Sequence, residues 1–114
     1  MRIFARLTQI SEFRRRHLPF IQTLEDLDLV REIGLHQSQG RSATLKILLL
    51  RAVASVATVQ RRLSRLKRLG VVHQFKAKHD KRLATLTLSP AVWRTYGRLS
   101  RLMLRTRSRA KSAG

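Results

Sequence analysis

Gln60 and Arg61 stand side by side, and both end in planar, forked groups: a carboxamide that donates and accepts, and a guanidinium that presents paired donors. Groups of this shape make two parallel hydrogen bonds to a purine edge, glutamine with adenine and arginine with guanine. Around them lie Ser55, Ala57, Thr58, Arg62, Ser64, Arg65, Lys67 and Arg68, small groups and cations with no acid among them. Five of the eight residues from Arg61 to Arg68 are basic. An ordinary solvated helix intersperses acids as i,i+4 partners. The chemistry on offer is therefore recognition of a polyanion with exposed base edges. Gln60 and Arg61 suit the bases, and Arg62, Lys67 and Arg68, toward the flanks, suit phosphates.

Some element must aim these groups in one direction. Val59, Leu63, Leu66 and Leu69 recur at helical spacing, so residues 55–70 read as an amphipathic helix with Ala57, Gln60, Arg61, Ser64 and Arg68 on the opposite face. Ser55 is its N-cap, and Gly70 supplies a left-handed residue after its end. Upstream, Thr23 caps a helix over about 24–37, with Glu25 and Asp26 favoured in its first turn by the helix dipole. Leu24, Leu27, Val30, Ile33 and Leu35 form its apolar stripe, and His36–Gly40 closes it. Thr44 caps a helix over about 45–52 with Leu45, Leu48, Leu49 and Ala52 as its buried side. Ser42, Thr44 and Lys46 stand at its start, where backbone N–H groups suit a phosphate. The link through Val53 and Ala54 is so short that the two helices must pack together.

After Gly70 the hydrophobic period shortens to two. Val71–Lys78 and Leu83–Leu88 read as strands around the polar tip His79-Asp80-Lys81-Arg82, a hairpin. Lys76, Lys78, His79, Lys81 and Arg82 are long enough to reach a minor groove or its phosphates. Asp80 is the only acid after Arg41 and is expected to orient Arg82. Ser89-Pro90 starts a last helix over about 91–105, with Trp93, Tyr96, Leu99 and Met103 along one side. The order is helix, extended link at Arg41–Ala43, helix, turn, helix, strand, wing, strand, helix. That predicts a mainly α chain with a small β-hairpin wing, the winged helix-turn-helix. The expected division is a basic N-terminal arm or helix (1–22), the winged domain (23–104) and a basic, unordered tail (105–114).

The stretch Ser55–Val72 resembles the MarR-type winged-helix regulators: hydroxyl residues at the helix start, an arginine-bearing amphipathic helix, then Gly and two aliphatics. Asp80-Lys81-Arg82 is similar to that family's Asp-x-Arg wing tip, and Leu86-Thr87-Leu88-Ser89-Pro90 to its passage into the final helix. The likeness covers about residues 24–96. It departs from the family in lacking a glycine at Val53-Ala54, in its shorter length and in its higher charge. What the resemblance implies is a homodimeric transcriptional regulator of double-stranded DNA, with a small-molecule effector as a further expectation.

Composition bounds the alternatives. The chain has 114 residues, 25 Lys+Arg, 6 Asp+Glu and a formal charge of +19. Four of the six acids (Glu25, Asp26, Asp28, Glu32) fall within eight residues, and from Arg41 onward there are 19 basic residues and one acid. Charge of this size speaks of partners rather than fold, and nucleic acid is the expected one. No cysteine is present, and the four histidines have no metal-ligand spacing, so no metal or cofactor is expected. No paired carboxylates and no glycine-rich phosphate loop point to an enzyme. The longest apolar run, Ile47–Leu50, is far short of the ~20 residues that span a bilayer, so no membrane role is expected. The expected setting is a bacterial-type cytoplasm, with the nucleoid. Two other readings remain open at this level: a nonspecific structural protein of nucleoid or ribosome, and a replication or partition initiator of a mobile element.

Overall fold

Helix ends fall where the capping residues stand. The computed structural model describes residues 1–52, 54–76, 79 and 83–113, with 105–113 as backbone alone. In chain order the elements are α1 (Arg2–His17), α2 (Leu24–Ser38), β1 (Ala43–Thr44), α3 (Leu45–Arg51), α4 (Val56–Arg68), β2 (Val72–Phe75), β3 (Thr85–Leu88) and α5 (Pro90–Ala113). Thr23 caps α2 through a full capping box: its hydroxyl accepts from the Asp26 N–H, and the Asp26 carboxylate accepts from the Thr23 N–H. Thr44 caps α3 by accepting from the Ile47 N–H at 3.2 Å. Ser55 caps α4 by accepting from the Thr58 N–H at 3.2 Å. Gly70 takes φ 75° directly after α4, the left-handed residue its position requires.

The chain forms two compact units, Phe20–Ser89 and the pair of terminal segments Met1–Pro19 and Pro90–Gly114. The first unit holds α2, α3, α4 and a three-stranded antiparallel sheet of order β1-β3-β2. The third strand was not anticipated: Ala43 pairs with Leu86 and Thr44 with Thr85, where the sequence suggests only an extended link. A two-residue strand is too short to show a period, and its partner lies 41 or more residues away. β2 and β3 pair from Val72↔Leu88 to Phe75↔Thr85. Leu86 and Leu88 point inward and Thr85 and Thr87 are half-exposed, the alternation expected of a one-sided sheet.

The core of this unit is Leu29, Val30, Ile33, Leu48, Val59, Leu63, Leu66, Val72, Leu86 and Leu88. Two stripe assignments on α2 need correction. Leu24 and Leu35 are exposed, whereas Leu29 and the charged Asp26 are buried. Leu69, expected on the apolar face of α4, is 54% exposed: it is the C-cap, and the chain turns away at Gly70 directly after it. Gly34 on α2 lies against β3: a Cβ there would sit 3.3 Å from Leu88 Cδ1.

The second unit brings α1 beside α5. The N-terminal segment is a sixteen-residue helix. α5 continues through Ala113, so the backbone from Arg105 is helical where the sequence suggests an unordered tail. Val92 is buried and Tyr96 and Leu99 are half-buried, but Trp93 and Met103, expected on the same stripe, are 40% and 39% exposed. Burial pushes the Tyr96 phenol above its usual range, against the opposing pull of the Arg14 charge.

Candidate nucleic-acid interface

The two faces of α4 are separated cleanly. Val59, Leu63 and Leu66 are 1%, 3% and 0% exposed and hold the helix on the core. Ala57, Gln60, Arg61, Ser64 and Arg68 are all exposed. These five are the residues that the sequence sets opposite the apolar stripe. Ser55 is exposed as well, and its hydroxyl donates to Thr58 Oγ1 at 2.9 Å while capping the helix. No acid interrupts this surface. The open face therefore offers one carboxamide, two guanidiniums and small hydroxyl and methyl groups, a set able to read base edges and hold phosphates.

The remaining cations of α4 are engaged elsewhere, which revises part of the expected phosphate set. Arg62 turns to Asp26 on α2: its Nε donates to Oδ1 at 2.8 Å and its Nη2 donates to Oδ2. Arg65 Nη1 donates to the Phe20 carbonyl at 2.8 Å and to Asp26 Oδ2 at 3.4 Å. Both arginine side chains are 18% exposed, and the Asp26 side chain is fully buried. Lys67 Nζ donates to Gln74 Oε1 at 2.6 Å, tying the end of α4 to β2. Thus Arg61 and Arg68 are exposed, while Arg62, Arg65 and Lys67 brace the helix.

Asp26 does more than the spacing of the sequence suggests. It is the dipole-favoured acid expected in the first turn of α2, and it also joins α2 to α4. Burial alone would raise its pKa; hydrogen bonds from Arg62 and from the Gln22 and Thr23 N–H groups outweigh this and hold it below the ordinary value. The same bond to Asp26 raises the pKa of Arg62. A signal was present: Arg62 lies three residues after Val59 and four before Leu66, on the margin of the buried stripe, where a free cation would be costly.

Around α4, Ser42 and Lys46 are exposed near the start of α3, and Thr44 is half-buried as its cap. In the wing, Lys76 and His79 are exposed. Lys78, Asp80, Lys81 and Arg82 lie outside the described residues. Gln37 supports the sheet by accepting from the Leu88 N–H at 3.0 Å. A cavity of about 490 Å³ opens within this unit between α2, α3 and the start of α4, with Leu29, Leu48 and Val59 in its wall and Glu32 and Arg51 among its charged lining. Among the described residues, no group of three or more His, Asp or Glu side chains is placed to hold a metal, and no helix is long and apolar enough to cross a membrane.

No protein-family model and no curated protein matches the sequence. Solved structures do match the fold. Staphylococcus aureus MepR, solved as a complex with DNA, superimposes with a TM-score of 0.68 at 14% identity, covering 99% of this chain and 91% of that one. The organohalide-sensing transcriptional regulator RdhR, in its 2,4-dichlorophenol-bound form, gives 0.57 at 17% identity over 98% of this chain and 68% of that one. A MarR-family transcriptional regulator from Silicibacter pomeroyi gives 0.53 at 21% identity over 88% of this chain and 64% of that one. At such identities the likeness speaks for architecture alone: this chain has the fold of these three structures, a winged helix.

Proposed function

We propose that this protein is a sequence-specific double-stranded DNA-binding transcriptional regulator. Its α4 would enter the major groove, and its wing would meet the adjacent backbone or minor groove. The observation that carries this reading is the open face of α4: Ala57, Gln60, Arg61, Ser64 and Arg68 are exposed together, opposite a buried apolar stripe, with no acid on that face. The match to MepR, which was solved on DNA, supports it. The +19 charge supplies the sequence-independent attraction that any such protein needs. RdhR and the Silicibacter pomeroyi protein are transcriptional regulators, which supports a non-enzymatic role; the reading sets it in the cytoplasm.

The reading includes a homodimer, because one small winged helix covers too little DNA for high specificity. Two copies would read half-sites about one helical turn, ~34 Å, apart. The unit built from α1 and α5 exposes Ile3, Phe4, Leu7, Trp93 and Leu104, apolar side chains suited to a partner copy. A small-molecule effector also belongs to the reading. The cavity beside α3 falls in the ~300–1,000 Å³ range of ligand sites, and its occupant would press on the elements that position α4.

Gln60 and Arg61 are assigned to bases and Arg68 to a phosphate. The test is a selection of duplexes from a random pool, followed by binding of single variants. Arg61→Ala should cost about 1–3 kcal/mol at the selected site and relax preference at one base pair per half-site. Unchanged preference in both Arg61→Ala and Gln60→Ala would refute the assigned face.

A further inference from the structure

Asp26 collects more partners than a helix cap needs. Its carboxylate accepts from the Gln22 N–H at 3.0 Å, the Thr23 N–H at 3.2 Å, two nitrogens of Arg62 and one of Arg65. The side chain is fully buried, and it is the only acid bonded to α4 among the described residues. Arg65 is one turn after Arg61, at the edge of the open face, and Arg62 is the residue next to Arg61. Each is 18% exposed, and a long guanidinium side chain released from Asp26 could swing outward from the margin of α4 toward a bound duplex. A buried ion pair is a poor device for stability alone, since apolar residues of similar size serve as well or better. Its worth here lies in what it withholds. In a chain of charge +19, every additional arginine able to reach a phosphate strengthens binding to all DNA alike, and the cost falls on discrimination among sites.

We propose that Asp26 is a specificity-determining residue: by binding Arg62 and Arg65 it keeps them from DNA phosphates and fixes the rotation of α4 that presents Gln60 and Arg61. This rests on the proposed function. It makes Asp26 a positioning residue that touches no DNA itself.

The test compares Asp26→Asn with Asp28→Asn. The two variants gain the same charge, but among the described residues Asp28 pairs only with the exposed Arg31, at 3.2 Å. Asparagine is nearly isosteric and keeps an oxygen for the Thr23 and Gln22 N–H groups. Affinities for a selected duplex and for random duplex are measured across salt, with thermal melting as a check on folding. Asp26→Asn should bind random duplex more tightly, with a log–log salt slope steeper by about 0.9 for the release of Arg62, while Arg65 keeps its bond to the Phe20 carbonyl. Its ratio of selected to random affinity should fall, while Asp28→Asn keeps the wild-type slope and ratio.

Weakening of both duplexes in equal proportion by Asp26→Asn, with an unchanged slope, would overturn the proposal and leave a purely structural ion pair. Should Asp26→Asn fail to fold, Arg62→Gln serves in its place. An unchanged random-duplex slope supports sequestration, and a slope shallower by about 0.9 shows that Arg62 reaches a phosphate in the wild type and overturns it. A wild-type protein with no preferred duplex would defeat the regulator reading. The random-duplex slopes would still report on the sequestration alone.

Discussion

Arg61, Arg62 and Arg65 have the same side chain within five residues and three different surroundings. Arg61 is exposed, Arg62 is clamped to Asp26, and Arg65 is shared between Asp26 and the Phe20 carbonyl. Arg68, also exposed, is expected to contact a phosphate. Arg68→Ala should weaken all duplexes alike and reduce the salt slope by about 0.9, read from titrations at several salt concentrations. Asp26 adds a pH dependence. Its folded pKa lies below the unfolded value, so the ionised form contributes stability above about pH 3.9, and that contribution is lost as pH falls through the lower folded value. Urea midpoints should therefore drop as the wild type is acidified below about pH 4, and less so for Asp26→Asn. The open face of α4 was readable from spacing alone, since exposure follows the helical period. The role of Asp26 was not: its partners are 36 and 39 residues away, and the place of Arg62 beside the buried stripe marks it as a paired cation without naming the partner.

At the scale of elements, α4 is held by its cap and by its stripe. Ser55→Ala should cost about 1 kcal/mol through loss of the bond to the Thr58 N–H. Leu66→Ala, at a fully buried position, should cost about 2–5 kcal/mol, and both are measured by chemical denaturation. The helices were legible because Thr23, Thr44, Ser55 and Gly70 are chemically specific punctuation and because periodicity over ten or more residues is a strong signal. β1 is hidden by its two-residue length, and Leu24 and Leu69 fit the apolar spacing yet are exposed, because spacing does not show where a helix leaves the core. The wing hairpin was found from its alternation, and β2 proved shorter than the run Val71–Lys78 suggested.

At the scale of the molecule, the proposed function rests on charge and on assembly into a dimer. The acids concentrate on α2, where Asp26 braces α4 and Glu32 lies 4.0 Å from Arg51 on α3, leaving the later chain almost wholly cationic. Light scattering at several concentrations should give twice the 13.2 kDa monomer mass, and charged substitutions at Phe4 and Leu7 should shift the protein toward monomer and weaken two-site binding. The most direct measurement of sequence-specific recognition is the affinity of the wild type for its best selected duplex and for random duplex over a range of salt. A preference of about 10³-fold or more that survives at physiological salt is expected. Equal affinity for every duplex, falling along one steep common salt slope, would contradict it.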